Sequence, residues 1–331
     1  MIWNRWNRKF LKPVAATLLL LTLAQTESSP AVSHPERGMW VWRFESWSLP
    51  PERERLLAFC SQEKIDRLLV QVHYKLNPQT NVPESVLAPE ELGDLIQKAN
   101  AAGISVEALE GDPEWSHRSG QATFWPKLEA ILIWNEQQPR NRRFTGLHLD
   151  VEPYLLKEFK SDRKPELMRE YLGFLEQVRQ RMRQQVPEWT LAADIPFWYD
   201  SNPETDLEHC VVEFNGKKKY LNCHVQDICD YVGVLTYRQK ALGENAIVPL
   251  CEGELSYAEQ LGKKIFACVE MSPAKGEDPP TISFYGTPLS WFRSQLDLVY
   301  KTLENRPGFA GVLIHHYQTY RDFLESSPEE H

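Results

Sequence analysis

The sequence has no apolar run long enough to cross a bilayer comfortably, and little concentrated positive charge. Its formal net charge is −9, and its only dense basic run is Lys217, Lys218 and Lys219. A nucleic-acid partner is therefore not expected, because phosphate contacts need a basic patch. No CxxC spacing occurs, which removes the usual zinc frameworks. No glycine-rich turn follows the first apolar strand, so a dinucleotide or P-loop site is not indicated and no cofactor is implied. No low-complexity tract interrupts the 331 residues, 42% of which are hydrophobic. That is enough for one large domain.

What is present begins with an export pattern. Arg5, Arg8, Lys9 and Lys12 precede VAATLLLLTLA, an apolar stretch over 14–24, with Thr22 and Ala24 at small-residue positions. The pattern predicts a signal peptide cut after Ala24, a linker over 25–36 and a secreted or periplasmic body without a stable membrane span. An uncleaved anchor is the alternative. Removing 1–24 takes away four basic and no acidic residues and moves the formal charge from −9 to −13. Six cysteines follow; Cys210 and Cys223 bracket CVVEFNGKKKYLNC. That segment reads as a β-hairpin turning at Asn215-Gly216, with a disulfide at its base and a position beside the cleft expected.

From residue 37 onward the chain alternates strand and helix. Strands are expected at 38–44, 66–74, 104–109, 144–152, 189–197, 230–237, 263–271 and 309–317. Helices are expected at 50–64, 89–103, 124–138, 165–186, 225–229, 255–262 and 289–305, with a short one at the end. Eight such units predict α/β architecture: a single-domain (β/α)₈ TIM barrel over 37–331, with the hairpin near 210–223 as an insertion.

In that fold the active site lies at the C-terminal strand ends. Each predicted strand end delivers a polar or aromatic group: Trp40 and Trp42; His73; Asp112 and Trp115 in the third loop; Asp150 and Glu152; Asp194; Tyr237; Glu270; His315. The fourth strand, FTGLHLDVE, alternates His148, Asp150 and Glu152 with apolar residues, so the three polar groups share a face. Two neighbouring carboxyls at a strand end suit glycoside hydrolysis, where one carboxyl must keep a proton near neutral pH.

GLHLDVEPY resembles the strand-four signature DxxDxDxE of family 18 chitinases and related barrels, with Asp150 and Glu152 matching its last Asp and its Glu. His148 stands where the middle Asp would be, and Thr145 where the first would be. VLTYR is similar to the MTYD segment of that family, with Tyr237 matched and Arg238 in place of the Asp. A second resemblance is to retaining glycosidases with an acid/base Glu after strand four and a nucleophile Glu after strand seven, here Glu152 and Glu270. The whole chain most resembles exported barrels of the glycosidase superfamily. Both resemblances imply a glycosidase with a carbohydrate substrate and Glu152 as general acid. Asp150, Glu270 and Tyr237 would be its catalytic partners. His73, Asp112, Trp115, His148, Asp194 and His315 would be substrate contacts. A non-catalytic carbohydrate-binding barrel is an alternative. So is a metal-dependent hydrolase using His73, His148, Asp194 and His315, although no metal is assigned.

Overall fold

A computed structural model of the chain describes residues 34–200, 210–276 and 279–326. Eight parallel strands close into one barrel: β1 Glu36–Val41, β2 Arg67–Gln71, β3 Ser105–Glu110, β4 Gly146–Leu149, β5 Thr190–Pro196, β6 Tyr231–Leu235, β7 Lys264–Glu270 and β8 Phe309–His315. Each strand pairs with the next in the chain, and β8 returns to β1 with Gly38 beside Leu313. The principal helices are α1 Pro50–Glu63, α2 Pro89–Ala101, α3 Phe124–Gln137, α4 Lys164–Gln185, α5 Leu221–Ile228, α6 Glu252–Leu261, α7 Leu289–Leu303 and α8 Tyr317–Ser326. This is the (β/α)₈ barrel that the alternation predicts. None of the described helices is long and apolar enough to cross a membrane.

The strand sequences explain the closure. IFACVE and YVGVL are apolar on both faces, as strands sandwiched between a barrel interior and a helical layer must be. Proline in the first turn of α1, α2 and α4 costs no hydrogen bond there and presets the helical φ. Outward residues such as Val70, Leu147, Val234 and Val269 join the helices in one core. Inward residues Trp40, Leu69, Leu109, Ala192, Tyr231, Leu235, Phe266, Cys268 and Leu313 form a second core inside the barrel.

Three local departures from the sequence reading have clear causes. The second strand stops at Gln71, and Tyr74–Leu76 turns out to pair antiparallel with Pro83–Val86. The fourth strand stops at Leu149, although the Asp150 amide still donates to the Glu110 carbonyl at 2.9 Å. Pro153 then starts a 3₁₀ turn, so Glu152 sits just beyond the strand end. The hairpin Val211–Phe214/Lys217–Tyr220 turns at Asn215 and Gly216, both with positive φ, but no disulfide closes it. Its register places Val211 opposite Tyr220, so Cys210 faces Leu221, whose amide donates to the Cys210 carbonyl. Cys223 lies inside α5 and keeps a free thiol. The hairpin tip reaches the helical layer, where Asn215 Nδ2 donates to Glu176 of α4 at 2.6 Å. The proposed signal peptide and most of the linker lie outside the described residues.

Candidate active site

The inward face of the barrel is polar along one line. At the N-terminal end Arg67 of β2 pairs with Glu36 and with Glu107 of β3. Glu107 also accepts from Thr190 Oγ1 at 2.9 Å and from the Tyr231 hydroxyl at 2.5 Å. The Tyr231 oxygen lies 3.0 Å from His148 Nδ1, and His148 Nε2 lies 2.8 Å from Asp194 Oδ2. All of these groups except Glu36, Arg67 and Thr190 are buried. Burial lowers the His148 pKa to about 4, and Arg67 adds to that against Glu107. Asp194 is pushed well above the usual carboxylate range by burial and then by the charge of Glu152.

Above this line is the C-terminal mouth. Asp150 and Glu152 are half-buried there. Burial raises the Asp150 pKa well above its ordinary value, and the like charges of Asp194 and Glu152 push the same way. Burial also raises Glu152, against a hydrogen bond from the Tyr154 hydroxyl and the charge of His315. Two adjacent carboxyls that both resist ionisation retain protons to higher pH than isolated ones.

Across the mouth, Glu270 Oε2 lies 2.8 Å from His315 Nδ1, and Ser272 N–H donates to Glu270 Oε1 at 2.6 Å. Burial works to raise Glu270, but the bond and charge of His315 outweigh it and hold this carboxyl below its ordinary value. The Trp42 indole N–H donates to His315 Nε2 at 3.0 Å, which fixes the neutral Nδ1–H form in this geometry. Burial lowers the His315 pKa, yet Glu270, Asp150 and Asp194 together carry it above the ordinary value. Protonating His315 therefore breaks the Trp42 bond. The Tyr237 ring lies 6.2 Å from the His315 ring. Its pKa is raised well above 10 by burial, then by Glu270, with Asp150 and Asp194 adding to the shift. The mouth therefore combines a proton-retaining pair, an ionised carboxylate and a phenol whose ring lies beside His315.

The structure brings together Asp150, Glu152, Tyr237, Glu270 and His315. Of the other expected contacts, His148, Asp194 and Trp115 are buried, while His73 and Asp112 are partly exposed and engaged in local contacts. His148 and Asp194 are sealed beneath the mouth, at 0% and 1% exposure, and bond to each other. Trp115 is not a sugar platform: its ring is fully buried against Phe124 and Phe174, and its N–H donates to Thr123. Asp112 caps a 3₁₀ turn, accepting from the Glu114 amide at 3.0 Å. His73 packs on Phe44 and Trp47, and burial lowers its pKa. The four groups of the metal reading are thus divided among three places. No cluster of three or more His, Cys, Asp or Glu among the described residues is arranged to hold a metal ion.

Tyr154, Tyr231 and Arg67 are site or support residues that the strand-end rule does not select. Inward parity would have found Tyr231, which shares its face with Tyr237, six residues on.

Comparison of the fold with solved structures finds (β/α)₈-barrel glycoside hydrolases as neighbours. The spore cortex-lytic enzyme SleL of Bacillus cereus matches at 13% identity and a TM-score of 0.51, covering 89% of this chain and 75% of that one. A calcium-binding mutant of β-glucuronidase 2 from Bacteroides uniformis matches at 11% identity and a TM-score of 0.54, covering 86% of this chain and 31% of that one. A family 18 chitinase from Pseudoalteromonas aurantia aligns at 12% identity and a TM-score of 0.49, covering 88% and 98%. At such identities the likeness is one of fold. No protein-family model and no curated protein matches the sequence.

Proposed function

We propose that the protein is a glycoside hydrolase of a polysaccharide or cell-surface glycan, with Glu152 as the general acid. The observation that carries this reading is the Asp150–Glu152 pair at the barrel mouth, where burial of both, and at Asp150 the charges of Asp194 and Glu152, favour a retained proton. A retained proton is what the departing glycosidic oxygen requires. Asp150 raises the proton affinity of its neighbour and faces the positive charge that develops at the sugar carbon. Tyr237 orients the substrate from β6. Glu270, held ionised beside His315, is placed to attack the anomeric carbon or to stabilise its charge. The glycan-cleaving neighbours support the substrate class, and the basic-then-apolar stretch over 5–24 supports action outside the cytoplasm.

The test is turnover of a panel of glycosides and polysaccharides by wild type and Glu152→Gln, with and without chelator. A chelator-resistant activity that falls in the variant supports the reading. Glycan binding with no turnover in either protein makes the mouth a binding surface. Loss of activity on chelation moves a metal-dependent reaction to the front.

A further inference from the structure

Arg238 follows Tyr237 just past the end of β6 and is half-buried. Its guanidinium lies over the ring of Phe197, 5.1 Å from the ring centre, and Phe197 is the first residue after β5. The next residue, Trp198, packs its ring 5.4 Å from that of Tyr154, whose hydroxyl donates to Glu152. A short run of contacts therefore joins this cation to the carboxyl pair at the mouth.

A guanidinium has five N–H bonds and no acceptor. Here Nε and Nη2 both donate to Asn245 Oδ1, at 3.1 and 2.8 Å, and Nη1 donates to the Tyr237 carbonyl at 2.7 Å. One hydrogen on Nη1 and one on Nη2 are left over. Every acceptor that Arg238 uses is neutral, and among the described residues no acid offsets the burial that lowers its pKa. Arg67 meets the same burial, yet Glu107, Tyr231 and Glu36 carry it above its ordinary value. The loop that holds Arg238 is itself closed: the Ile247 and Val248 amides donate to the Lys240 and Ala241 carbonyls, and Asn245 takes a left-handed φ of 52° that asparagine tolerates. The cation is thus fixed in place by neutral groups, with its charge unanswered and two donors to spare. A planar anion with two oxygens supplies what is missing.

We propose that Arg238 binds a carboxylate carried by the glycan, so that the substrate is an acidic polysaccharide. The inference rests on the glycosidase reading for the glycan and adds its chemical class. The carboxylate belongs either to the sugar ring, as in a uronic acid, or to an ether side chain, as in a lactyl group; both present two oxygens. Glu270 at the mouth repels such a group, and Arg238 offsets that repulsion at the rim between β5 and β6. An acid at this position, as in the segment that VLTYR resembles, would add to the repulsion; arginine reverses the preference.

The experiment is calorimetric binding of oligogalacturonate, of peptide-free N-acetylmuramyl strands, of the carboxyl-reduced form of each, and of a sulfated glycan. Where a probe is cleaved, binding is measured in Glu152→Gln. At least one carboxylated probe should bind about tenfold or more tighter than its reduced form, the worth of a charge-assisted pair, and the probe that does so identifies the source of the acid. Arg238→Gln should bind both forms alike at unchanged Tm, and Arg238→Lys, with the charge but not the fork, should keep part of the preference. Asn245→Ala on the exposed loop should weaken the preference, and it carries the test if the Arg238 variants fold poorly. Equal binding of acidic and reduced probes, a preference kept in Arg238→Gln, tighter binding of the sulfated glycan, or no binding at all would overturn the proposal. Cleavage of a neutral glycan without acidic preference overturns it and leaves the glycosidase reading standing. An Arg238-dependent preference without turnover keeps the carboxylate site and removes the catalytic reading.

Discussion

Replacing Tyr231 by Phe removes one oxygen and little volume, yet it cuts the barrel's inner line in two. Tyr231 is only 6% exposed, so water does not reach the gap freely. His148 Nδ1 loses its acceptor, and Glu107 loses one of three donors, keeping Arg67 and Thr190. A buried donor left without a partner costs about 1–3 kcal/mol, and weakening a partly satisfied carboxylate adds about 1 kcal/mol more. The expected loss is therefore about 2–4 kcal/mol, or roughly 3–7 °C in Tm for a domain of this size. Denaturant unfolding with an unchanged slope, followed by circular dichroism, reads it directly. A double-mutant cycle with Glu107→Gln should give a coupling of about 1 kcal/mol or more, because the two groups touch. A loss below about 0.5 kcal/mol, typical of a surface change, would refute the hydrogen-bonded line.

Three further outcomes follow from the same geometry. Asp150 has a folded pKa above its ordinary 3.8, so its protonated form favours the fold; that contribution is complete below about pH 3.8 and is lost as pH rises through the folded value. Asp150→Asn should thus melt higher than wild type at neutral and alkaline pH and show no such gain in acid; a gain independent of pH would rule out this cause. Glu270→Ala should lower turnover by roughly 10²-fold or more if its carboxylate meets the anomeric carbon, with recovery by azide if it forms the covalent bond; turnover within about tenfold of wild type would reduce Glu270 to a partner of His315. Trp115→Ala should cost about 3–5 kcal/mol of stability with glycan affinity intact, since the ring is core; lost affinity at unchanged stability would make it a platform after all.

The fold was legible because a (β/α)₈ barrel writes itself as repeated alternation, and all eight strands fall within a few residues of their expected places. The ends were less legible. The pattern of VQVHY carries strand two through Tyr74, while the backbone of Tyr74 pairs in a local hairpin. At the site, alternation put Asp150 and Glu152 on one face, and Glu270 and His315 opposite. It does not separate mouth from interior along a strand, so it places His148 and Asp194 on the wall of the mouth though they lie below it. Depth along a barrel strand depends on the register with its neighbours, such as His148 beside Ala192, and one strand's sequence does not carry that. Trp115 misled for another reason: a loop tryptophan among polar residues reads as exposed, but Phe124 and Phe174 come from helices on either side to cover it.

The central claim is that Glu152 gives its proton to the leaving oxygen. The direct measurement compares wild type and Glu152→Gln on two glycosides of one cleaved sugar, one with a poor leaving group and one whose leaving group needs no proton. The account predicts a fall of about 10²–10⁴-fold in kcat/KM on the first and a much smaller change on the second. Equal losses on both, or none on either, would contradict it.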